Sequence, residues 1–137
     1  MRIMDQQGEN AADKQGIRVL ERLFDILSFL AERHDYAGIK EIAEATGLSR
    51  TTVHRVLATC EENYVVLKDN IGRYRIGPRS LVWANSYQQQ TGLAKIARQH
   101  LKELLRDVGE TVHLFIYEKG EAFYLEKMHT YNVTGLD

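Results

Sequence analysis

The apolar positions fall into blocks of different period. In GIRVLERLFDILSFLAERHD, Ile17, Leu20, Leu23, Phe24, Leu27 and Leu30 recur at the i, i+3, i+4, i+7 spacing of an amphipathic helix. Val19, Ile26 and Phe29 widen the stripe almost all round. Such a helix must bury more than one face, either at the centre of its domain or against a second subunit. AGIKEIAEATGLSRTTVHRVLATCEENYV reads as two helices about a tight turn. Ile39, Ile42, Ala43 and Ala45 mark the first, and Gly47 suits a left-handed stop. Leu48 then points inward, Ser49 is a good N-cap, and Val53, Val56, Leu57 and Cys60 form the buried side of the second helix. Helix, glycine turn and hydroxyl-capped second helix make the helix-turn-helix layout.

The period then switches to two. YVVLKDNIGRYRIGP predicts a short strand at 65–68, a turn at 69–72 and a return strand at 73–76. Tyr74 and Ile76 share one face of the return strand, and Arg73 and Arg75 the other. Pro78 suits the first turn of another helix, PRSLVWANSYQQQTG, which carries Leu81, Val82, Trp83 and Tyr87 and is broken by Gly92. LAKIARQHLKELLRDVGE is a further amphipathic helix with Leu93, Ile96, Ala97, Leu101, Leu104 and Leu105 inward and Gly109 at its end. TVHLFIYEKGEAFYLEKMHT predicts a hairpin about Lys119-Gly120, with Val112, Leu114 and Ile116 alternating. Two strands are seldom stable alone, so this hairpin needs a partner that the chain does not visibly supply. The fold class is therefore mainly α with a small β component. The expected organisation is a disordered N-terminal arm at 1–15, a winged helix-turn-helix at 16–78, a linker helix at 79–92 and the truncated start of a further domain at 93–137.

Charge sharpens the picture. The 137 residues carry a net charge of -1, which alone favours no polyanion. Residues 49–79, however, hold Arg50, Arg55, Lys68, Arg73, Arg75 and Arg79 against only Glu61, Glu62 and Asp69. A local basic face on a near-neutral protein is the electrostatic footprint of a DNA reader. On a helix lying in the major groove, the residues near its N-terminus reach the base edges. Arg50, Thr51, Thr52, His54 and Arg55 occupy that region, while Ser49 and the first amides favour a phosphate, because a helix N-terminus binds anions. Arg50 can donate two hydrogen bonds to guanine, and a threonine offers a hydroxyl and a methyl. Arg73 and Arg75 on the hairpin would reach the phosphate backbone or the minor groove. For each, the plainer alternative is an ordinary cap, a solvated helix face or outward cross-strand residues.

Other chemistry is thin. Cys60 is the one cysteine, so neither an internal disulfide nor a cysteine-based zinc site is available, and its place on the apolar side makes it a core residue. His100, His113 and His129 have no partner at ligand spacing. No Ser-His-Asp set, supported carboxylate pair or glycine cradle for phosphate is present, so neither an enzyme nor a cofactor is expected. Tyr117, Tyr124 and Tyr131 read as strand residues. With no bilayer-length apolar run and no apolar leader at the start, the expectation is a cytoplasmic protein that does not enter a membrane.

Taken together, VLERLFDILSFLAE, IKEIAEATGLSRTTVHRVLATCEENYV, GRYRIGPRSL and GETVHLFIYEKGEAFYLEKM, in this order and spacing, resemble the IclR family of bacterial transcriptional regulators over residues 17–128. The resemblance implies a winged helix-turn-helix, a linker helix and a C-terminal α/β domain that senses a small metabolite. It implies a nucleoid-associated repressor of a metabolic operon, binding a double-stranded operator as a homodimer or tetramer. Pairing would run through the first helix and the linker helix, for which Leu20, Phe24, Leu27, Leu81 and Trp83 are the candidates. The wing would span 70–75. Family members usually have glycine where Asn63 stands, and asparagine would take the left-handed conformation there. The residues that would line an effector pocket lie mainly beyond Asp137. The rival readings are a winged-helix protein-interaction module that does not bind DNA, and an enzyme or small-molecule binder in which the winged helix is ancillary.

Overall fold

The computed structural model describes residues 6–128 and divides into two compact units, with the boundary between Val82 and Trp83. That boundary falls inside the helix expected at 79–92. Residues 1–5 and 129–137, including His129 and Tyr131, lie outside the described residues.

The first unit begins with α1 (Gln6–Glu32). The residues expected as a disordered arm are thus helical from Gln6 onward. Periodicity marks helices that bury a face, and this stretch of the sequence shows no periodic apolar pattern. Yet lengthening an existing helix is far easier than nucleating one, and Gln, Glu, Ala and Lys all extend it readily. Ile26 and Leu30 of α1 are buried, with Leu23, Leu27 and Phe29 packed beside them. A two-residue strand, β1 (Ala37–Gly38), leads into α2 (Ile39–Thr46). Gly47 ends α2 at φ 73°, and its N–H donates to the carbonyl of Ala43. Next come α3 (Arg50–Glu62), β2 (Val66–Lys68) and β3 (Arg73–Ile76). The sheet order is β1-β3-β2, all antiparallel. Ile42, Ala43, Val53, Leu57, Cys60, Val66 and Tyr74 join Ile26 and Leu30 in one core. Tyr74 is buried while Arg73 and Arg75 are exposed, as the alternation requires.

Two backbone positions after α3 set the path into the wing. Asn63 is not left-handed: its φ is -102°, and its amide nitrogen donates to the carbonyl of Thr59. The left-handed residue is Tyr64, at φ 60°. The asparagine side chain caps the helix from a right-handed backbone, so the reversal moves one residue along. The Tyr64 carbonyl then accepts the N–H of Arg79 at 3.0 Å. Gly77 passes so close that a β-carbon there would fall on the Tyr64 carbonyl oxygen.

α4 (Arg79–Thr91) crosses the boundary between the units. In the second unit, α5 (Leu93–Val108) ends at Gly109, φ 71°, and β4 (Val112–Glu118) pairs antiparallel with β5 (Glu121–Met128). Lys119 and Gly120 both take positive φ, the geometry of a tight two-residue hairpin turn. Leu101 and Leu105 are buried against Val112 and Leu114, so α5 supplies part of the partner the hairpin requires. Ile96 and Leu104, expected inward, are exposed. One helix covers only one side of a two-stranded sheet, and Phe115, Tyr117 and Tyr124 are exposed as well.

Candidate nucleic-acid interface

α3 is anchored from below and presented from above. Val53 and Leu57 are fully buried and Cys60 nearly so. Burial raises the Cys60 thiol above its ordinary pKa, which suits a packed residue and not a nucleophile. Ser49 caps the helix: its hydroxyl oxygen accepts the Thr52 N–H at 3.1 Å and the hydroxyl donates to the Thr52 Oγ1 at 2.9 Å. Both hydroxyls are therefore engaged with each other at the helix start. Arg50, Thr51, His54 and Arg55 are exposed beside them. Of the six residues expected to contact DNA, these four have exposed side chains on the solvent side, while Ser49 and Thr52 build the turn that presents them.

Thr52, Arg55, Val56 and Cys60 of α3 line a groove of about 480 Å³ together with Val19, Leu20 and Leu23 of α1. The candidate reading face and the apolar front of α1 are thus adjacent. Leu20 and Phe24 are exposed, Phe24 by 62%. Leu27, placed with them by its spacing, instead packs against the core. On α4, Leu81 (71% exposed) and Trp83 (55% exposed) are uncovered; they fall in different units.

On the wing, Arg73 and Arg75 both project outward, but in different company. Asp69 opens the turn. Its Oδ1 accepts the N–H groups of Ile71 and Arg73, at 3.1 and 2.8 Å, and its Oδ2 accepts from Arg73 Nε at 2.8 Å. Partial desolvation pushes the carboxyl up, but the hydrogen bonds and charge of Arg73, with the Ile71 N–H, outweigh it and leave the pKa below its ordinary value. The guanidinium carbons of Arg73 and Arg75 lie 5.8 and 4.9 Å from the ring centroid of Tyr36. Neither Tyr36 nor Asp69 stood out among the candidate residues. Aspartate at the head of a turn closed by Gly72 is a legible side-chain-to-backbone signal. Tyr36 had none, because β1 is too short to show alternation.

Among the described residues no group of histidine, cysteine and carboxylate side chains could hold a metal ion, and no helix is long and apolar enough to cross a membrane. His113 sits among aromatic rings, 6.3 Å from Phe115 and 5.9 Å from Tyr124.

Residues 19–69 match the family model described as the IclR helix-turn-helix domain, and residues 85–135 match that of the bacterial transcriptional regulator IclR C-terminal. The chain is 31% identical to the HTH-type transcriptional regulator BhcR of Paracoccus denitrificans, over 90% of this chain and 44% of that protein. It is 27% identical to the acetate operon repressor of Salmonella typhimurium, over 77% of this chain and 39% of the relative. The crystal structure of the Thermotoga maritima IclR superposes with a TM-score of 0.62 at 26% identity, covering 82% of this chain and 46% of that one. The chain thus spans less than half the length of these relatives. A capped, exposed helix start on a winged helix-turn-helix, followed by a segment matching the C-terminal domain, places this chain in the IclR family of bacterial transcriptional regulators.

Proposed function

We propose that this chain carries the operator-reading head of a repressor that controls a metabolic operon and acts in the cytoplasm, on the nucleoid. The observation that carries the reading is the presentation of α3. Arg50, Thr51, His54 and Arg55 are exposed at its capped start, while Val53, Leu57 and Cys60 hold its opposite side in the core. A helix held this way enters a major groove with its first turns against the base edges. The open amides of the first turn and the helix dipole add a site for a phosphate. The exposed apolar residues Leu20, Phe24, Leu81 and Trp83 fit pairing between copies, which would set two heads on a partly palindromic operator. A metabolite bound by the C-terminal domain of the longer protein would shift affinity by as much as it prefers one arrangement of the heads.

The test is selection of the 137-residue chain against a random duplex pool, followed by titration of the winning sequence. A partly palindromic consensus is expected. Arg50→Ala should weaken binding to it by about 1–3 kcal/mol and relax preference at one base pair. Binding that is indifferent to sequence both before and after that change removes the base-reading role. No duplex binding at all makes the head a protein-interaction module.

A further inference from the structure

β1 runs antiparallel beside β3, with Ala37 opposite Tyr74 and Gly38 opposite Arg73. Continuing that register sets Tyr36 opposite Arg75, on the exposed side of the wing. Gly38 leaves room there: no atom lies within 4 Å of the place its β-carbon would take. The Tyr36 ring can therefore serve both arginines, Arg75 at 4.9 Å and Arg73 at 5.8 Å.

The two cations are not equivalent. Arg73 is bound through Nε to Asp69, whose carboxylate also holds the turn backbone. Arg75 has no ion pair among the described residues, and its cross-strand neighbour on β2 is Leu67. Two guanidinium groups on one ring repel each other, and the Asp69 carboxylate offsets one of the two charges. A guanidinium lying on an aromatic face keeps its in-plane N–H groups free to donate to a phosphate. Holding it there also reduces the rotamer freedom that would otherwise be lost on docking.

We propose that Tyr36 is the positioning residue of the wing, and that Arg75 is the cation it presents to the phosphate backbone while Arg73 is committed to Asp69. The proposal presupposes the duplex binding put forward above.

The experiment titrates the full chain with its selected duplex across a salt series, with thermal melting run on every variant. Arg75→Gln should lower the log–log salt slope by about one, and Arg73→Gln by clearly less. Tyr36→Ala should weaken binding roughly 2–5-fold, the size of an exposed cation–π contact, while Tyr36→Phe, which keeps the ring, binds like wild type. Tyr36→Leu, which fills similar space without a π face, should show the same loss as Tyr36→Ala. In the double variant Tyr36→Ala with Arg75→Gln, binding should match Arg75→Gln alone, since the ring acts through that side chain. Additive losses, a weakened Tyr36→Phe or a wild-type Tyr36→Leu would overturn the positioning role. Equal slope changes for Arg73→Gln and Arg75→Gln would overturn the division between the arginines. A wild-type chain without salt-dependent duplex binding overturns the DNA reading itself, and that is visible in the first titration before any variant is made.

Discussion

Tyr64 is the residue where local strain and tertiary path meet. It takes φ 60° although it is bulky and 59% exposed, so its ring gains little from burial in return for the left-handed backbone. That conformation costs a side-chain-bearing residue roughly 1–2 kcal/mol, and glycine escapes most of it while losing more backbone freedom on folding. Tyr64→Gly is therefore expected to stabilise the protein by about 1 kcal/mol, read as a higher denaturation midpoint in urea. A lower midpoint would mean that the ring makes contacts worth more than the strain. The same shift from Asn63 to Tyr64 shows how a side-chain cap can displace a reversal by one position. The Asn63 amide closes on the Thr59 carbonyl, so the helix end is satisfied before the chain turns.

At the scale of elements, the wing is a short hairpin held from its head by Asp69. The sign of its pH dependence follows from the carboxyl's lowered pKa. A group whose pKa is lower in the folded than in the unfolded chain stabilises the fold at pH values above the unfolded value, and that contribution is lost as the pH falls through the folded value. Asp69→Asn removes the charge and keeps one acceptor. Its stability should fall below that of the wild type near neutrality, and the gap should close as the pH drops below the ordinary carboxylate range. Denaturant unfolding of both proteins over a pH series measures it, and a gap that persists at low pH would assign the effect to hydrogen-bond geometry instead of charge. For α3 the same element logic separates the capping residues from the candidate reading residues. Ser49 and Thr52 are satisfied within the helix, whereas Arg50, Thr51, His54 and Arg55 have their polar groups in solvent.

For the whole molecule, the question is what covers the apolar surface that the chain leaves open. Phe24 and Leu20 are exposed on α1, in a helix that already supplies Ile26 and Leu30 to its own core. Burying one phenylalanine is worth about 1.5–3 kcal/mol, and a two-fold interface buries it twice. If copies pair through this face, Phe24→Glu should raise the dimer dissociation constant at least on the order of 100-fold. Sedimentation of the two proteins over a concentration series decides it, and unchanged association would exclude α1 from the interface.

The local sequence by itself determined the helix-turn-helix, the return strand of the wing, the glycine stops at Gly47 and Gly109 and the Lys119-Gly120 turn. Each of these is encoded over a few neighbouring residues, by a repeat of 3.6 or 2 or by a demand for positive φ. Charge patterning likewise marked the helix start and the wing arginines as one basic stretch. The tertiary structure alone decided what depends on residues distant in the chain. β1 exists because Ala37 and Gly38 pair with β3, and only that pairing brings Tyr36 onto Arg75. The α1 stripe divides into a core face and an open face because α2 and β3, the elements packed on it, can cover only one side of a helix. Leu27 falls on the covered side and Phe24 on the other, although both fit the same i, i+3, i+4, i+7 spacing.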